Sequence, residues 1–193
     1  ISTFDGGALD CESSGDAYLV NVQVAGNETG SGGGIAFSGD DLALVDVEIL
    51  GNYATSQGGG VEIASARLFA RRLAVEGNGS TFDGGGLALS SAQARLTNAT
   101  FLGNTSRNTG GAIDLLSSEL LLEQSTLYGN RARLGSGGIH ANTESAIDVL
   151  GSLIAYSVGG NLIAPGAHIS VLYSAVFNPL SPPVLVGLAF DVS

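Results

Sequence analysis

One short phrase recurs six times in this chain at a constant spacing of 26 residues. It consists of two small residues, usually Gly-Gly, then Gly or Ala and an aliphatic residue, and its copies begin at Gly6, Gly32, Gly58, Gly84, Gly110 and Ser136. A second phrase recurs out of phase with the first and ends in Gly-Asn, at Asn27, Asn52, Asn78, Asn104 and Asn130. A fixed period of this length is typical of a solenoid, in which each repeat packs only on its neighbours.

The apolar residues of each repeat alternate along the chain, as in Ile35 and Phe37. A period of two is typical of β-strands. After Leu44 the alternation slips by one residue and leaves Val45-Asp46 outside, and Arg71-Arg72 in the next repeat, which is what a corner between two strands requires. A hairpin meander would pair unlike rows, whereas a constant repeat stacks like on like. The pattern therefore predicts an all-β, parallel β-helix with about 26 residues per coil.

The repeated Asn allows two interpretations. If it points inward, its amide donates to the carbonyl of the equivalent Asn one coil away, and the row satisfies itself. If it points outward, it is a solvated turn residue that tolerates a left-handed backbone. We favour the inward ladder, because a turn alone would accept Asp or Gly in some copies. Four stretches match the N-glycosylation pattern, and three of them fall on this row, so no glycan is expected there; they begin at Asn27, Asn78, Asn98 and Asn104.

The three glycine columns of the first phrase differ in what replaces them. Only the second column, represented by Gly33 and Gly59, never carries a Cβ, so we expect a positive φ or a close backbone approach there. The same glycines recur without a following helix or Lys, which excludes a nucleotide-binding loop. Cys11, the sole cysteine, falls in the row of Phe37 and is interpreted as a small buried hydrophobe.

This 193-residue chain has few charged residues, and most of them are acidic. Seven basic residues, all Arg, stand against 18 acidic ones, which gives a formal net charge of −11. Binding to nucleic acid needs a basic face that neutralises phosphates, so no nucleic-acid partner is expected. The longest apolar run near the C-terminus, 184–190, is far shorter than the roughly 20 residues that cross a bilayer, so no transmembrane segment is expected.

The repeat runs through most of the chain without a break in composition, which predicts one β-helix domain over 1–193. Regular coils are expected over 1–157, followed by an irregular last coil and a C-terminal cap over 158–193, where Pro179, Pro182 and Pro183 end the pattern. The stretch 2–7 recurs as 80–85, so the chain opens in mid-repeat and is expected to be a piece of a longer protein.

Two stretches carry a resemblance to a known family. Residues 110–113 read GGAI and residues 101–104 read FxxN, the paired signature of polymorphic outer membrane protein repeats. Over about residues 1–178 the chain resembles these proteins and other large bacterial surface proteins with right-handed parallel β-helix repeats, most clearly at 94–104 and 159–163. The resemblance implies a single-stranded right-handed coil that serves as a surface-exposed passenger or stalk, in some members adhesive.

The outward positions of the first strand form a row down one side, made of Asp10, Ala36, Glu62, Ala88, Asp114 and His140. Polysaccharide-cleaving β-helices place carboxylates on neighbouring coils, whereas here Ala separates each acidic pair by about 9.6 Å. Inverting glycosidases hold their carboxyl groups about 6.5–9.5 Å apart, so a carbohydrate-active enzyme remains the alternative hypothesis. The row has no Arg or Lys base, and exposed acids usually solubilise a sheet face, so we expect no catalytic residue. Asp10, Glu62, Asp114 and His140 are kept as weak binding candidates.

No metal site or cofactor is expected, since His140 and His168 lack the spacing of a ligand cluster. Outward apolar residues such as Leu102, Tyr128 and Phe69 are candidates for docking onto a partner. The leading hypothesis is a non-catalytic, structural or adhesive β-helix segment at the extracellular or outer-membrane surface of a bacterium. Its expected partners are other protein subunits or components of the host or cell surface, glycans among them.

Overall fold

The computed structural model of the protein describes residues 6–12 and 14–177, and the backbone of strand Leu185–Val186. The regular structure within these residues is entirely β. The strands form three parallel sheets, because each coil runs through the three sheets in turn and lies on the coil before it. The fold is therefore the parallel β-solenoid that the 26-residue period predicts.

The three sheets are numbered in the order in which a coil meets them. Sheet 1 has eight strands: Leu9–Cys11, Ile35–Phe37, Val61–Ala64, Leu87–Ser90, Ile113–Leu116, Ile139–Ala141, Leu162–Ile163 and Leu185–Val186. Sheet 2 has eleven: Ala17–Ala25, Asp41–Leu50, Arg67–Glu76, Gln93–Thr97, Thr100–Leu102, Glu119–Glu123, Thr126–Tyr128, Ala146–Leu150, Leu153–Ala155, His168–Leu172 and Ala175–Phe177. Sheet 3 has five: Glu28–Thr29, Tyr53–Ala54, Gly79–Ser80, Thr105–Ser106 and Arg131–Ala132.

Equivalent residues of successive coils pair directly across each sheet. In sheet 1, Ile35 pairs with Val61, and Val61 pairs with Leu87. All three side chains lie in one internal column and are at most 1 % exposed. Removing an aliphatic side chain of this size from water contributes about 1.5–3 kcal/mol, so each coil adds a similar increment to the same core. The stacking of like on like is confirmed.

The corner inside sheet 2 has a simple backbone cause. Its residues have a positive φ in successive coils, as at Asp46 (55°), Arg72 (53°) and Asn98 (54°). A left-handed residue turns the strand and places two consecutive side chains outside, which produces the slip in the apolar alternation. Arg72 forms an ion pair with Asp46, and this hydrogen bond lowers the pKa of the Asp46 carboxyl. Both groups are exposed, so the pair adds little stability.

The Asn row is an internal ladder, as predicted. Asn78, Asn104 and Asn130 are fully buried. The Asn104 Oδ1 accepts hydrogen bonds from the Asn78 backbone N–H and from the Asn78 Nδ2, both at 3.0 Å, and the same pattern links Asn104 to Asn130. The remaining Nδ2 hydrogen of Asn104 goes to the carbonyl oxygen of Val75, at 2.8 Å. The row thus satisfies itself along the coil axis and has no room for a glycan at its buried members.

Of the two alternatives expected for the second glycine column, a positive φ or a close backbone approach, the structure shows the second. The second column makes the close backbone approach, since a Cβ on Gly59 would lie 2.3 Å from the carbonyl oxygen of Gly79 and 2.4 Å from that of Gly85. The positive φ belongs instead to the first column, for example 66° at Gly58. The backbone turns at the first glycine and is pressed against the next coil at the second.

The coil becomes irregular towards its C-terminal end. Serines at the corners of the later coils hold the stack by accepting backbone N–H groups, and their spacing changes from 27 residues between Ser125 and Ser152 to 22 between Ser152 and Ser174. Strand 185–186 pairs with Leu162–Ile163 as one more parallel strand. The rest of the predicted cap, with Pro179, Pro182 and Pro183, lies outside the described residues. Cys11 pairs with Phe37 and is half-buried against the core.

Candidate functional site

The candidate site lies on the outward side of sheet 1. The predicted row is present, since the strand pairing places Asp10 beside Ala36, Ala36 beside Glu62 and so on to His140. Ala36 and Ala88 are buried, at 7 % and 3 % exposure, although they face outward. Neighbouring residues therefore cover the outward side of the sheet at these two alanines.

The cover comes from the turn that precedes each sheet 1 strand. Gln57 and Thr109 each stand five residues before the acidic residue of their own coil, and both bond it: Gln57 donates to Glu62, and the Thr109 Oγ1 lies 2.6 Å from the Asp114 Oδ1. Asp83 holds the equivalent position in the coil between them. The turn lies against Ala88, since a Cβ on Gly84 would come 2.8 Å from the Ala88 Cβ.

Five side chains from three coils meet at this point, and we call them the Asp114 cluster: Asp83, Asn108, Thr109, Asp114 and His140. The Asp83 Oδ1 accepts from the Asn108 Nδ2 at 2.6 Å and from the Thr109 backbone N–H at 3.0 Å, and lies 2.7 Å from the Thr109 Oγ1. On the other side, the Asp114 Oδ1 lies 2.8 Å from the His140 Nδ1. One continuous polar network thus joins two carboxylates to an imidazole.

The electrostatics of the cluster favour a charged imidazole. The hydrogen bond to Asp114 raises the pKa of His140, with partial burial opposing it and the charges of Asp114 and Asp83 adding to it. The Thr109 hydroxyl has a single hydrogen and lies between two carboxylate oxygens, so it can donate to only one of them at a time. The hydrogen bond and the two nearby carboxylates therefore favour the protonated form of His140.

The sequence-predicted candidates are only partly brought together. Asp114 and His140 are in direct contact, whereas Glu62 bonds Gln57 within its own coil and Asp10 lies beyond Ala36. Sequence reasoning missed Asp83, Asn108 and Thr109, which complete the cluster. The signal for two of them was the polar column immediately before the Gly-Gly phrase, which reads Gln57, Asp83 and Thr109 in successive coils.

A second surface lies on the outward side of sheet 2. Phe69, Arg95 and Leu121 form one outward row, since they pair directly from coil to coil. A groove of about 390 Å³ runs along it, bounded by Arg67, Gln93, Glu119 and Asp148 as well as by the row itself.

The outward apolar row further along sheet 2 is also present. Leu102 pairs with Tyr128 in this row, and the Tyr128 ring contacts that of Tyr156, with ring centroids 5.1 Å apart. Tyr156 in turn meets Phe177, with centroids 5.8 Å apart. These rings cover one another and form a strip across the last coils.

No group of three or more potential metal ligands occurs within the described part of the chain. Over the same residues, no helix has the length and apolar character needed to cross a membrane. Comparison with known proteins gives no assignment: no protein-family model matches the chain, and no curated protein or solved structure matches it significantly.

Proposed function

We propose that this chain is a non-catalytic, structural or adhesive β-helix segment of a bacterial surface protein, with repeats of the polymorphic outer membrane protein type. It acts through its long stacked walls, at the extracellular or outer-membrane surface. Its partners are other protein subunits or components of the host or cell surface, glycans among them. The observation that supports this function is the unbroken Asn ladder, with Asn78, Asn104 and Asn130 all buried and bonded at one-coil spacing.

The ladder supports a scaffold function because its buried amides bond each coil to the next and so hold the stack together. Each coil takes its polar satisfaction and its apolar contacts from the coils on either side, so the fold presents extended walls at a rung spacing of about 4.8 Å. On sheet 1, Glu62 also accepts a hydrogen bond from the neutral Gln57 amide of its own coil. Side chains used in this way stabilise the wall and leave little freedom for proton transfer.

Localisation is tested by labelling intact source cells with an antibody raised against the purified chain. We expect labelling without permeabilisation, and its loss after brief treatment of the cells with an external protease. An antibody against a cytoplasmic protein is the matched control, which should label permeabilised cells alone. Labelling of this chain that requires permeabilisation would refute the surface location.

One observation favours the alternative function, a carbohydrate-active enzyme: the Asp114 cluster joins two carboxylates and an imidazole on one wall. The test is release of reducing ends from a panel of polysaccharides by the purified chain. We expect none. Hydrolysis that Asp114→Asn abolishes, and that the control Glu48→Gln on sheet 2 leaves unchanged, would establish the enzyme and overturn the structural proposal. Glu48 is a fair control because it is exposed and bonds only Gln23.

A further inference from the structure

The groove on sheet 2 is the surface best suited to hold a ligand. Phe69 lies in the first of the four coils that line it and is 43 % exposed. Leu121 lies two coils away in the same row and is half-buried. Arg95 lies between them in the row, so the groove carries two separate apolar side chains, and its volume of about 390 Å³ lies within the range of small-molecule sites.

The rim of the groove is polar and carries both hydrogen-bond donors and acceptors. Arg67, Gln93 and Arg95 offer planar donor groups, while Glu119 and Asp148 offer carboxylate oxygens. Planar polar side chains around an exposed ring suit a ligand with one apolar face and many hydroxyl groups, because a hydroxyl both donates and accepts. A saccharide has this chemistry: the C–H face of its ring packs on an aromatic side chain, and its hydroxyls reach the surrounding polar groups.

The rim groups are available to such a ligand. Arg67 bonds Asp41 and Arg95 bonds Glu123, but the two arginine side chains are 55 % and 58 % exposed. Gln93 donates to Glu119 at 3.1 Å, also at the surface. Exposed ion pairs contribute little stability, so ligand hydroxyls can replace or share them at small cost.

Charge decides which class of saccharide fits. The groove is lined by two guanidinium groups and two carboxylates, which cancel. The whole chain carries a formal charge of −11, so an acidic polysaccharide is repelled before it reaches the wall. An uncharged glycan is not repelled by this net charge, and it needs no excess of either charge in the groove.

We propose that the Phe69 groove binds an uncharged glycan, with the Phe69 ring as the stacking platform and the rim of Arg67, Gln93, Arg95, Glu119 and Asp148 as hydroxyl partners. This inference rests on the proposed adhesive function, since it identifies the wall and the ligand class through which that function operates. A protein partner on the same wall is the competing occupant, and failure to bind any neutral polysaccharide would favour it.

The test measures binding of the purified chain to immobilised neutral polysaccharides (mannan, galactan and β-glucan) and acidic ones (polygalacturonate and hyaluronate). We expect binding to at least one neutral polysaccharide, weakened about tenfold or more by Phe69→Ala, as for the loss of an aromatic hot-spot contact. Phe82→Ala is the matched control, because Phe82 is 54 % exposed away from this groove, and it should bind within about twofold of the wild type. Asp148→Ala is a second variant at the rim, and its loss of binding does not depend on the ring.

Each result bears on the proposal. Binding to no neutral polysaccharide, a preference for the acidic ones, or equal losses for Phe69→Ala and Phe82→Ala would overturn it. Circular dichroism and melting of each variant show whether a loss of binding reflects loss of fold. Surface labelling of intact cells without any glycan binding leaves the surface function standing and refutes the groove, whereas glycan binding by a chain that is not at the surface does the reverse.

Discussion

Replacement of Asn104 by Ala removes one rung of the internal ladder, and its cost can be worked out bond by bond. Loss of the Oδ1 leaves the Asn78 backbone N–H and one Asn78 Nδ2 hydrogen without their acceptor, in a place where Asn78 is fully buried. Loss of the Nδ2 removes a donor from the carbonyl of Val75. Asn130 keeps a partner, because the Asn104 backbone N–H still donates to its Oδ1 at 2.9 Å.

The two stranded donors set the magnitude. A buried donor that loses its acceptor costs about 1–3 kcal/mol, so Asn104→Ala is expected to lower the free energy of unfolding by about 2–6 kcal/mol. For a chain of 150–250 residues, each kcal/mol corresponds to about 2–4 °C in Tm, so the Tm should fall by at least about 4 °C. Gln23→Ala is the matched control, since the exposed Gln23 amide bonds only Glu48 and its loss should cost at most about 0.5 kcal/mol.

Two measurements check this expectation. Thermal unfolding followed by circular dichroism reports the global loss, and hydrogen exchange of the Asn78 amide reports the local one. Both should change in Asn104→Ala and neither in Gln23→Ala. A Tm within about 1 °C of the wild type, or an Asn78 amide as protected as before, would mean that water replaces the amide and that the ladder is not what holds this wall.

The other predictions concern the glycine columns, the Asp114 cluster and the core. Gly59→Ala places a Cβ against two carbonyl oxygens and should cost about 3 kcal/mol or more, whereas Gly77→Ala meets open space at φ +63° and should cost about 1–2 kcal/mol; equal urea midpoints would contradict this. The raised pKa of His140 stabilises the fold fully below the unfolded value of 6.5 and ceases to do so as pH rises through the folded value, so His140→Gln should lower Tm more at pH 5.5 than at pH 8.5, and an equal loss would refute the link to Asp114. Leu96→Ala in the fully buried core should cost about 2–5 kcal/mol by urea unfolding, and a cost under about 1 kcal/mol would show that the column collapses around the gap.

The fold could be predicted from the sequence because its signals repeat. Ile35, Val61 and Leu87 share one column through constant spacing alone, and the slip after Leu44 marks a real corner. Because six repeats share one spacing, only a parallel coil places their equivalent residues over one another. The position of the positive φ was not predictable in this way, because Ser136 in the first column suggested tolerance of a side chain there, and Ser136 is a copy without a positive φ.

The candidate site was predictable only in outline. Spacing placed Asp114 beside His140, because both belong to one row of sheet 1. Asp83 and Thr109 come from a turn, and the direction in which a turn folds over a sheet depends on packing that no period records. Ala88 was interpreted as a gap between acidic residues, yet it is buried, because the preceding turn lies against it.

The ladder has a consequence for how the molecule is built. Almost every long-range contact joins residues about one repeat apart, so the chain never has to search for a distant partner before a contact becomes favourable. A completed coil exposes backbone carbonyl and amide groups that pair with those of the next coil in the correct register. Growth onto an existing end then needs contacts with the preceding coil alone, so a nascent chain can become ordered in the sequence in which its residues emerge.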